Sequence, residues 1–474
     1  MANAVEFIEI QRIKPIRRAI EERIRDYREI ELPVDPEILK EQAGRCQDCG
    51  IPFCHSLGCP LGNLIPDFNE MVHQNQWRRA LDYLHHRNNF PEITGRICPG
   101  LCEPACTLAM NFEPVMIRSI ERQIAETGWQ EGWIRPEPAA VKQGTKVAVI
   151  GSGPAGLAAA QQLARWGHDV IVFERSERIG GLLRYGIPDF KLEKWILDRR
   201  IEQLKAEGII FETGVEVGHD VSTDYLRRKF QAVLIAIGSG RPRDLPVPDR
   251  NLSGIHWAMD YLSHQTRCNN REQNQADPLL TATGKKVAVI GGGDTGADCI
   301  GTARRQCADA ICQLEILPRP PALRDPSNPW PEWPRILRSS SSHEEGCDRR
   351  WSIKINAFGG REGRLTHLDC VKLEWEPAGT DEKLQPREIS GSEFKIPVDM
   401  AILAMGFIHP EPLPLLEPLQ IHLNPNQTIA ADSQFRTSIP NFFGAGDCVA
   451  GASLVVKAID QGRQAAAAIH RTLK

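Results

Sequence analysis

The sequence lacks a long hydrophobic run and a hydrophobic leader. No stretch of the 474 residues reaches the ~20 apolar residues that a membrane-spanning helix needs. The N-terminal segment carries charges every few residues and has no apolar core of the signal-peptide type. We therefore expect a cytoplasmic protein that does not bind membranes.

An excess of one charge is also absent. The formal net charge is -4, and acidic and basic residues are interspersed along the chain. Proteins that bind nucleic acid present clustered basic side chains to the phosphates, so we expect no nucleic-acid partner. The charged and apolar fractions are those of an ordinary globular protein, and the length suffices for about three domains of ~150 residues.

Cysteine, in contrast, is abundant and unevenly distributed. Seven of the fourteen cysteines form two groups, Cys46-x2-Cys49-x4-Cys54-x4-Cys59-Pro60 and Cys98-Pro99-x2-Cys102-x3-Cys106. Disulfides are disfavoured in a reducing compartment, and zinc prefers pairs of Cys-x2-Cys knuckles, of which only one is present. Thiolates two to four residues apart, with a proline after a ligand, are typical of iron–sulfur sites. We predict iron–sulfur binding, with zinc as the alternative.

Seven thiolates cannot supply two clusters of four ligands each. Either a single cluster is present, or one cluster has a ligand of another kind. The segment VMIRSIERQIA, residues 115–125, places Glu121 on a predicted short helix soon after Cys106, and a carboxylate can bind iron. A solvated helix carboxylate is the commoner role of a single glutamate, so the residues alone leave this ligand open.

A dinucleotide-binding signature begins at residue 146. The sequence KVAVIGSGPAGLAAAQQLARWGHDVIVFE predicts a strand, a glycine-rich turn, a helix and a second strand that ends in Glu174. Gly151 permits the turn, Gly153 lets backbone N–H groups approach a pyrophosphate, and Gly156 allows helix and strand to pack closely. The Glu174 carboxylate can accept hydrogen bonds from ribose hydroxyls. These flanking features disfavour a glycine-rich turn without a ligand. The predicted cofactor loop also includes Pro154 and Ala155.

The same pattern recurs from residue 286. The segment KVAVIGGGDTGADCIGTA contains a second loop of the same kind, with Gly291, Gly293, Asp294, Thr295 and Gly296. Two copies predict two bound dinucleotides. After the second strand of this copy, Glu315 could hold the ribose 2′-hydroxyl of NADH, whereas Arg319 could pair with the 2′-phosphate of NADPH. These two residues indicate opposite nucleotides.

Three further segments complete the predicted flavin site. Residues 180–188, GGLLRYGIP, resemble a segment that lies alongside a bound flavin, and they include Gly181, Leu182 and Arg184. The apolar run 232–237 predicts a buried strand that ends at Gly238, at the carboxyl edge of the sheet. Near the C-terminus, a short strand and turn lead to Asp447, which can bind a ribityl hydroxyl, and then to a helix.

The remaining segments carry no chemistry that the sequence identifies. Residues 1–35 are charged and are predicted to be helical, ending at Pro33 and Pro36, and residues 128–145 are a predicted linker. Residues 318–342, which include NPWPEWP, form a predicted loop without catalytic features. Neither glycine motif is followed closely by a redox dithiol, since no Cys-x4-Cys comes shortly after Gly156 and no Cys-x2-Cys comes after Gly296. Disulfide reduction is therefore disfavoured.

Together these motifs resemble the glutamate synthase small (beta) subunit family. The resemblance rests on the cysteine array, the KVAVIGSGPAG and IGGGDTGADC repeats, the QLEILPRPP and NPWPEWP segments, and GAGDC near the C-terminus. It implies an α/β fold with two Rossmann-like dinucleotide-binding domains of the glutathione-reductase type, preceded by an α-helical iron–sulfur domain. The implied domains are residues 1–140 for iron–sulfur, 141–255 and 425–474 for FAD, and 256–424 for NAD(P)H.

The resemblance also implies the cofactors, which are FAD, NADH or NADPH, and two [4Fe-4S] clusters. It assigns Cys46, Cys49, Cys54 and Cys106 to one cluster, and Cys59, Cys98, Cys102 and Glu121 to the other. Many members of the family carry an Arg-Arg pair for NADPH after the second strand of the nucleotide domain. Here that place reads Glu315-Ile316-Leu317, which favours NADH.

The implied function is electron transfer to a partner. NAD(P)H would be oxidised through FAD, and the clusters would pass electrons to a large (alpha) subunit that carries FMN and an amidotransferase and makes L-glutamate from L-glutamine and 2-oxoglutarate. Hydride transfer between bound cofactors needs no acid, base or nucleophile, and we find no such constellation. An NAD(P)H-ferredoxin oxidoreductase type of subunit is the nearer alternative. A zinc-stabilised scaffold without catalysis is the more distant one.

Overall fold

A computed structural model describes residues 6–272, 277–377, 384–411 and 414–474. The N-terminal part is helical, with helices Glu6–Glu9 (α1), Ile20–Arg23 (α2), Pro36–Gly44 (α3), Ile65–His73 (α4), Trp77–Arg87 (α5), Pro91–Ile97 (α6) and Ile117–Gln130 (α7). A π-helical turn at Cys54–Gly58 and a 3₁₀ turn at Thr107–Met110 lie in the cysteine-rich loops between these helices. In α7, Ile117, Ile120 and Ile124 recur at helical spacing and pack into the core of this part.

The prediction of a long N-terminal helix is wrong. Up to residue 35 the described chain contains only α1 and α2, each four residues long. Pro36 does not close a helix but starts α3, at a position where the missing N–H would have no helical partner anyway. Asp35 caps this helix by accepting a hydrogen bond from the Glu37 N–H at 2.9 Å. Some charged residues of the segment pair with each other, as Arg18 does with Asp26, and others pair with distant parts of the chain, as Arg23 does with Glu345.

Two α/β regions follow. The first contains Lys146–Ile150 (β1), Pro154–Arg165 (α8), Asp169–Glu174 (β2), Leu182–Tyr185 (α9), Lys194–Ala206 (α10), Ile210–Thr213 (β3), Thr223–Lys229 (α11) and Ala232–Ile235 (β4). The second begins with Ile255–Trp257 (β5), Ala258–Asn269 (α12), Lys286–Ile290 (β6), Asp294–Arg305 (α13), Ala310–Leu314 (β7), Ser341–Glu344 (α14) and Asp348–Arg350 (β8). It continues with Ile353–Arg361 (β9), Arg364–Pro377 (β10), Leu384–Glu388 (β11), Phe394–Pro397 (β12) and Met400–Leu403 (β13). The chain ends with Leu416–Leu419 (α15), Phe442–Gly444 (β14), Asp447–Ala450 (α16) and Val455–Leu473 (α17).

Each α/β region is built on a five-stranded parallel sheet. The first sheet has the order β14-β4-β1-β2-β3, so the C-terminal strand returns to the strands of the first glycine motif. The second sheet has the order β5-β13-β6-β7-β8. Strands β9 to β12 form a separate antiparallel sheet inserted before β13. This architecture confirms the predicted fold class, while the domain boundaries at residues 140, 255 and 424 remain predictions.

Buried strands explain why the two glycine motifs lie where they do. In β1, β4, β6 and β13 nearly every residue is buried, as expected for central strands of a parallel sheet covered on both faces. Each motif directly follows such a strand and therefore lies at the carboxyl edge of its sheet, where ligands bind in this class of fold. None of the described helices is both long and apolar enough to cross a membrane.

Candidate functional site

The first glycine motif opens into a cavity of about 410 Å³ at the carboxyl edge of the first sheet. This volume is within the usual range for cofactor sites. Most of the residues predicted to contact FAD line it, namely Gly151, Gly153, Pro154, Ala155, Glu174, Gly181, Leu182, Gly238 and Asp447. Helix α8 begins at this cavity, so its N-terminal backbone N–H groups are available to an anionic ligand.

The three glycines of this motif differ in what a side chain would do. Gly151 has a φ of +101°, and a Cβ there would collide with the Ala236 carbonyl oxygen. A Cβ on Gly156 would collide with the Gly151 carbonyl oxygen. A Cβ on Gly153 would meet no atom of the described chain within 4 Å. The first and third glycines are thus required by the fold, whereas the second keeps open the space that a pyrophosphate would occupy.

Three polar groups around this cavity suit a dinucleotide. The Glu174 carboxylate accepts hydrogen bonds from the N–H and hydroxyl of Ser152, at 3.0 and 2.6 Å, and from the Ser176 N–H at 2.8 Å. Burial raises the pKa of Asp447, which accepts a hydrogen bond from the Ser453 hydroxyl at 2.8 Å. The Ser239 hydroxyl is buried and has no hydrogen-bond partner in the described chain. Ser239 lines the cavity, so a polar ligand there can satisfy it, and the residues present fit FAD.

Two residues predicted for the flavin site have other neighbours. The described residues that line the flavin cavity do not include Gly156 or Arg184. Arg184 is buried, donates a hydrogen bond from Nε to the Ile179 carbonyl oxygen at 3.1 Å, and forms an ion pair with Asp198. It therefore holds the segment that precedes Gly181 in place.

The second glycine motif repeats this geometry. Gly291 has a φ of +122°, and Cβ atoms on Gly291 and Gly296 would collide with the carbonyl oxygens of Ala404 and Gly291, while Gly293 faces open space. The Glu315 carboxylate accepts hydrogen bonds from the Gly292 N–H at 2.6 Å and the Leu317 N–H at 3.0 Å. This arrangement repeats that of Glu174 in the first motif, so a nicotinamide dinucleotide fits the second one.

Arg319 lies apart from that carboxylate. Its guanidinium stands 5.3 Å above the Trp351 ring, and Arg349 stacks on the same ring at 4.9 Å. Within the part of the chain that the structure describes, no carboxylate pairs with either arginine. Arg349 also donates to the Arg338 carbonyl oxygen at 3.0 Å. Arg349 lies near the end of β7, since the Glu315 N–H donates to the carbonyl oxygen of the next residue, Arg350, at 2.9 Å.

A second cavity, of about 300 Å³, joins the three parts of the molecule. It is lined by Asp294 and Thr295 of the second glycine motif and by Cys98 and Pro99 of the helical part. It adjoins the flavin cavity, since Leu182, Met259, Phe407, Ser453 and Val455 line both. The lining also includes an ion pair between Lys191 and Asp298. No motif in the sequence marks Met259, Phe407 or this ion pair.

The first set of cysteines surrounds a small cavity of its own. Cys46, Cys49, Cys54 and Cys106 line about 20 Å³ of space, together with Pro52, Pro66 and Leu108. Burial raises the pKa of Cys46 to about 11 and raises those of Cys54 and Cys106. The other cysteines of the set contribute to these shifts through charge repulsion. Four thiols around one cavity match the donor set of an iron–sulfur cluster, whose binding would displace their protons.

The second set contains the carboxylate. Burial raises the pKa of Cys59 to about 12 and that of Cys98 to about 11, and it raises the pKa of Cys102 as well. The charge of Glu121 also raises the pKa of each of these three cysteines, so the carboxylate lies within electrostatic range of all three thiols. Among the described residues, no three His, Cys, Asp or Glu side chains converge as the ligands of one metal ion do. A four-iron cluster is larger and takes one ligand at each iron.

Glu121 is not a solvated helix carboxylate. It lies on the buried face of α7, and its side chain accepts hydrogen bonds from Asn63 Nδ2 at 3.1 Å and Asn88 Nδ2 at 3.2 Å, and from the Thr94 hydroxyl. Burial raises its pKa to about 7. Each carboxylate oxygen has two lone pairs, so these donors leave capacity for an iron atom. The four side chains therefore fit a second cluster.

Comparisons with known proteins agree with this division of the chain. The family model described as pyridine nucleotide-disulphide oxidoreductase matches residues 145–462. The model described as dihydropyrimidine dehydrogenase domain II, 4Fe-4S cluster, matches residues 23–133. The solved structure of Mycobacterium tuberculosis FprA in complex with NADPH is similar with a TM-score of 0.55 at 17% identity, over 69% of this chain and 84% of that one. This last likeness shows the fold alone.

Two relatives that match nearly the whole of this chain have a much higher sequence identity to it. The chain is 49% identical over 462 residues to the glutamate synthase (NADPH) small chain of Mycobacterium tuberculosis. The match covers 97% of this chain and 93% of the relative. It is also 45% identical to the glutamate synthase (NADH) of Saccharomyces cerevisiae, over 95% of this chain and 21% of that longer protein. These matches extend over both the helical part and the two parallel sheets, so the chain belongs to the family of glutamate synthase small chains.

Proposed function

We propose that this chain is the small (beta) subunit of a glutamate synthase. It oxidises NAD(P)H through FAD and passes electrons by way of iron–sulfur clusters to a large subunit, which makes L-glutamate from L-glutamine and 2-oxoglutarate. The observation that carries this proposal is the second cavity, because Asp294 and Thr295 of one dinucleotide motif and Cys98 of a cysteine set line the same space. That space adjoins the flavin cavity. Electron donor, flavin and metal can therefore be neighbours.

The chain's own residues bind and orient the cofactors. FAD would lie against the first glycine motif, with Glu174 at its ribose, Asp447 at its ribityl chain and Ser239 as a further polar contact. When bound, FAD supplies the conversion from two-electron to one-electron chemistry. The shared apolar residues Leu182, Met259 and Phe407 would exclude water between the flavin and nucleotide cavities.

Two [4Fe-4S] clusters complete the proposed path. The first would be held by Cys46, Cys49, Cys54 and Cys106, and the second by Cys59, Cys98, Cys102 and Glu121. Since Cys98 lines the cavity that adjoins the flavin cavity, the residues that would hold the second cluster reach the flavin and nucleotide sites, and a cluster there would supply one-electron chemistry. The description of the matched family model as a 4Fe-4S domain supports iron–sulfur over zinc in this part of the chain.

The proposed partner is a large (alpha) subunit that carries FMN and the amidotransferase. The name of the Mycobacterium tuberculosis relative, a small chain, supports a larger partner. The yeast glutamate synthase supports it too, because the segment similar to this chain makes up only 21% of that protein. We place the protein in the cytoplasm, without membrane or nucleic-acid partners.

For the nucleotide, Glu315 supports NADH. Its carboxylate has the position of Glu174 in the first motif, where it can accept from a ribose hydroxyl and would repel a 2′-phosphate. We expect Glu315→Gln to lower the preference for NADH over NADPH about tenfold, because charge assistance adds roughly 1 kcal/mol or more to a hydrogen bond. The measurement is kcat/KM with each nucleotide and an artificial acceptor.

Arg319→Ala is the matched control for this substitution. If NADH is the substrate, it leaves kcat/KM for NADH unchanged. A wild-type preference for NADPH that disappears in Arg319→Ala would contradict our assignment and would identify Arg319 as the phosphate ligand.

The whole proposal is tested with protein prepared without oxygen. We expect one flavin and about eight iron atoms per chain, a spectrum with flavin and iron–sulfur absorption, and bleaching of both by NADH. Coexpressed with the large subunit, the chain should copurify with it and support NADH-dependent glutamate formation. Zinc in place of iron would refute the electron path. Reduction of ferredoxin, without binding of the large subunit, would refute the partner and favour a ferredoxin oxidoreductase.

A further inference from the structure

A loop of the nucleotide-binding region reaches the first set of cysteines. This loop, residues 318–340, leaves the second sheet after β7 and ends where α14 begins, two residues earlier than predicted. Its Trp330 Nε1–H donates a hydrogen bond to the Cys106 carbonyl oxygen at 3.2 Å. The Trp330 ring also packs against Phe53, with 4.7 Å between ring centroids. Phe53 directly precedes Cys54. The Trp330 side chain thus contacts both segments that carry these cysteines, one at Phe53 next to Cys54 and the other at Cys106 itself.

The loop is built to hold this tryptophan in place. Asn328 is buried, donates to the Glu332 carboxylate at 2.9 Å, and accepts from the Arg335 N–H at 2.8 Å. The Arg324 guanidinium donates to the carbonyl oxygens of Asn328, Pro329 and Glu332, at 3.1, 3.2 and 2.8 Å. These hydrogen bonds involve residues that precede Trp330 and residues that follow it in the sequence, so the backbone is held on both sides of this residue. Its indole is therefore presented in a fixed orientation, which a free loop would not provide.

We propose that Trp330 is a positioning residue for the iron–sulfur cluster at Cys46, Cys49, Cys54 and Cys106. It fixes the Cys106 peptide through its N–H and, with Phe53, covers one side of the site against water. Hydrogen bonding and solvent exposure around the sulfur ligands are the means by which a protein sets the reduction potential of a cluster. The inference rests on the proposed assignment of this cluster.

Its consequence is a physical link between the two ends of the electron path. The segment that carries Glu315 and Arg319, at the nucleotide site, continues directly into the segment that covers the first cluster. The environment of that cluster is then completed only when the nucleotide-binding region is folded against the helical part.

Removing the indole should change the cluster without removing its ligands. In Trp330→Ala we expect the potential of the first cluster to rise, because water stabilises its more negative reduced form, and we expect its absorption to be lost several-fold faster in air. Trp330→Phe keeps the contact with Phe53 but has no N–H, so its shift should be smaller. Trp333→Ala is the control, because Trp333 stacks on Arg338 of its own loop, at 3.5 Å. It should match the wild type.

The readouts are a redox titration of the intact, oxygen-free protein followed by electron paramagnetic resonance, and the rate of bleaching in air. Flavin content reports whether each variant is folded. If Trp330→Ala binds no iron, the cluster potential and air stability of Trp330→Phe test the inference instead. Unchanged potential and air stability in folded Trp330→Ala and Trp330→Phe would overturn the inference, as would equal changes in Trp333→Ala. Wild-type protein without iron would refute the cluster assignment itself, which is a distinguishable result.

Discussion

Glu121 illustrates how burial distinguishes a side chain whose role the residues alone leave open. In the sequence its place soon after Cys106 and the family resemblance point to it, but a solvated helix carboxylate is the commoner role of a single glutamate. In the fold, α7 turns this position toward Asn63, Asn88 and Thr94, and toward three cysteines. A buried carboxylate is costly unless it is hydrogen-bonded or bound to a cation. Three neutral donors satisfy the first condition, and a cluster would satisfy the second.

The first prediction concerns this carboxylate. Glu121→Gln removes the negative ligand and places an amide NH₂ among donors that need an acceptor, which costs about 1–3 kcal/mol for a buried group left unpaired. We expect the variant to lose the second cluster and to keep the first. Iron content should fall by about half, and one of the two paramagnetic resonance signals should disappear after reduction.

The first set of cysteines serves as an internal control in the same sample. Its four ligands are all thiols and do not include Glu121. Retention of both signals in Glu121→Gln would show that this carboxylate is not a ligand. Loss of both would point to general misfolding.

At the scale of elements, the contact between α8 and α17 depends on the absence of a side chain. Helix α17 packs along the helix of the first glycine motif, and a Cβ on Gly462 would collide with the Ala155 carbonyl oxygen. Ala155, in the first turn of α8, lines the flavin cavity. The C-terminal helix therefore supports the floor of that cavity directly.

Gly462→Ala should consequently impair both stability and flavin binding. Overpacking of this kind costs about 1–3 kcal/mol. The expected result is a lower midpoint of thermal unfolding and a weaker affinity for FAD, so that the variant loses FAD at a smaller dilution than the wild type does. Gln464→Ala, at an exposed position on the same helix, should change neither quantity. A stable variant with normal flavin affinity would contradict this close contact.

Elements whose signals are local were predictable, and elements held by distant contacts were not. The two glycine motifs combine a buried strand, a turn that excludes side chains and a helix within about twenty residues, so the sequence specifies them. The extended course of residues 6–35 depends on partners hundreds of residues away, such as Glu345 for Arg23. The same holds for Trp330, whose contact with Cys106 spans two regions of the fold. A pattern of residues in one segment contains no information about such partners.

At the scale of the whole molecule, a buried ion cluster connects the N-terminal segment to the nucleotide-binding region. The Glu345 carboxylate accepts hydrogen bonds from Arg23 at 2.8 Å and from Arg305 at 2.7 and 3.1 Å. The side chains of Glu345 and Arg305 are 0% exposed and that of Arg23 is 3% exposed. Arg305 also donates to the Asp26 carbonyl oxygen at 2.9 Å. These contacts hold the second sheet against the helical part and so keep the nucleotide cavity next to Cys98.

Glu345→Gln should therefore loosen the whole assembly. Two buried guanidinium groups would share a neutral amide. Arg23 would keep its longer contact with Glu344, at 3.4 Å, whereas Arg305 would lose the carboxylate with which it pairs, and an unpaired buried charge of this kind costs about 3–5 kcal/mol. We expect a lower unfolding midpoint in urea and faster proteolysis within residues 6–35. Reduction of the clusters by NADH should slow as well, because the cavity that joins nucleotide and Cys98 lies on the same boundary.

The neighbouring residue provides the control for this substitution. Glu344 pairs with Arg17 at 2.8 Å, with side chains that are 42% and 31% exposed, and such a pair contributes at most about 1 kcal/mol. Glu344 also contacts Arg23, but at 3.4 Å, which is longer than the 2.8 Å between Arg23 and Glu345. Glu344→Gln should thus leave proteolysis and cluster reduction close to those of the wild type. Equal effects of the two substitutions would mean that the N-terminal segment is held by its summed charge. Only a large effect confined to Glu345→Gln would show that one buried carboxylate fixes how the nucleotide-binding region sits against the iron–sulfur region.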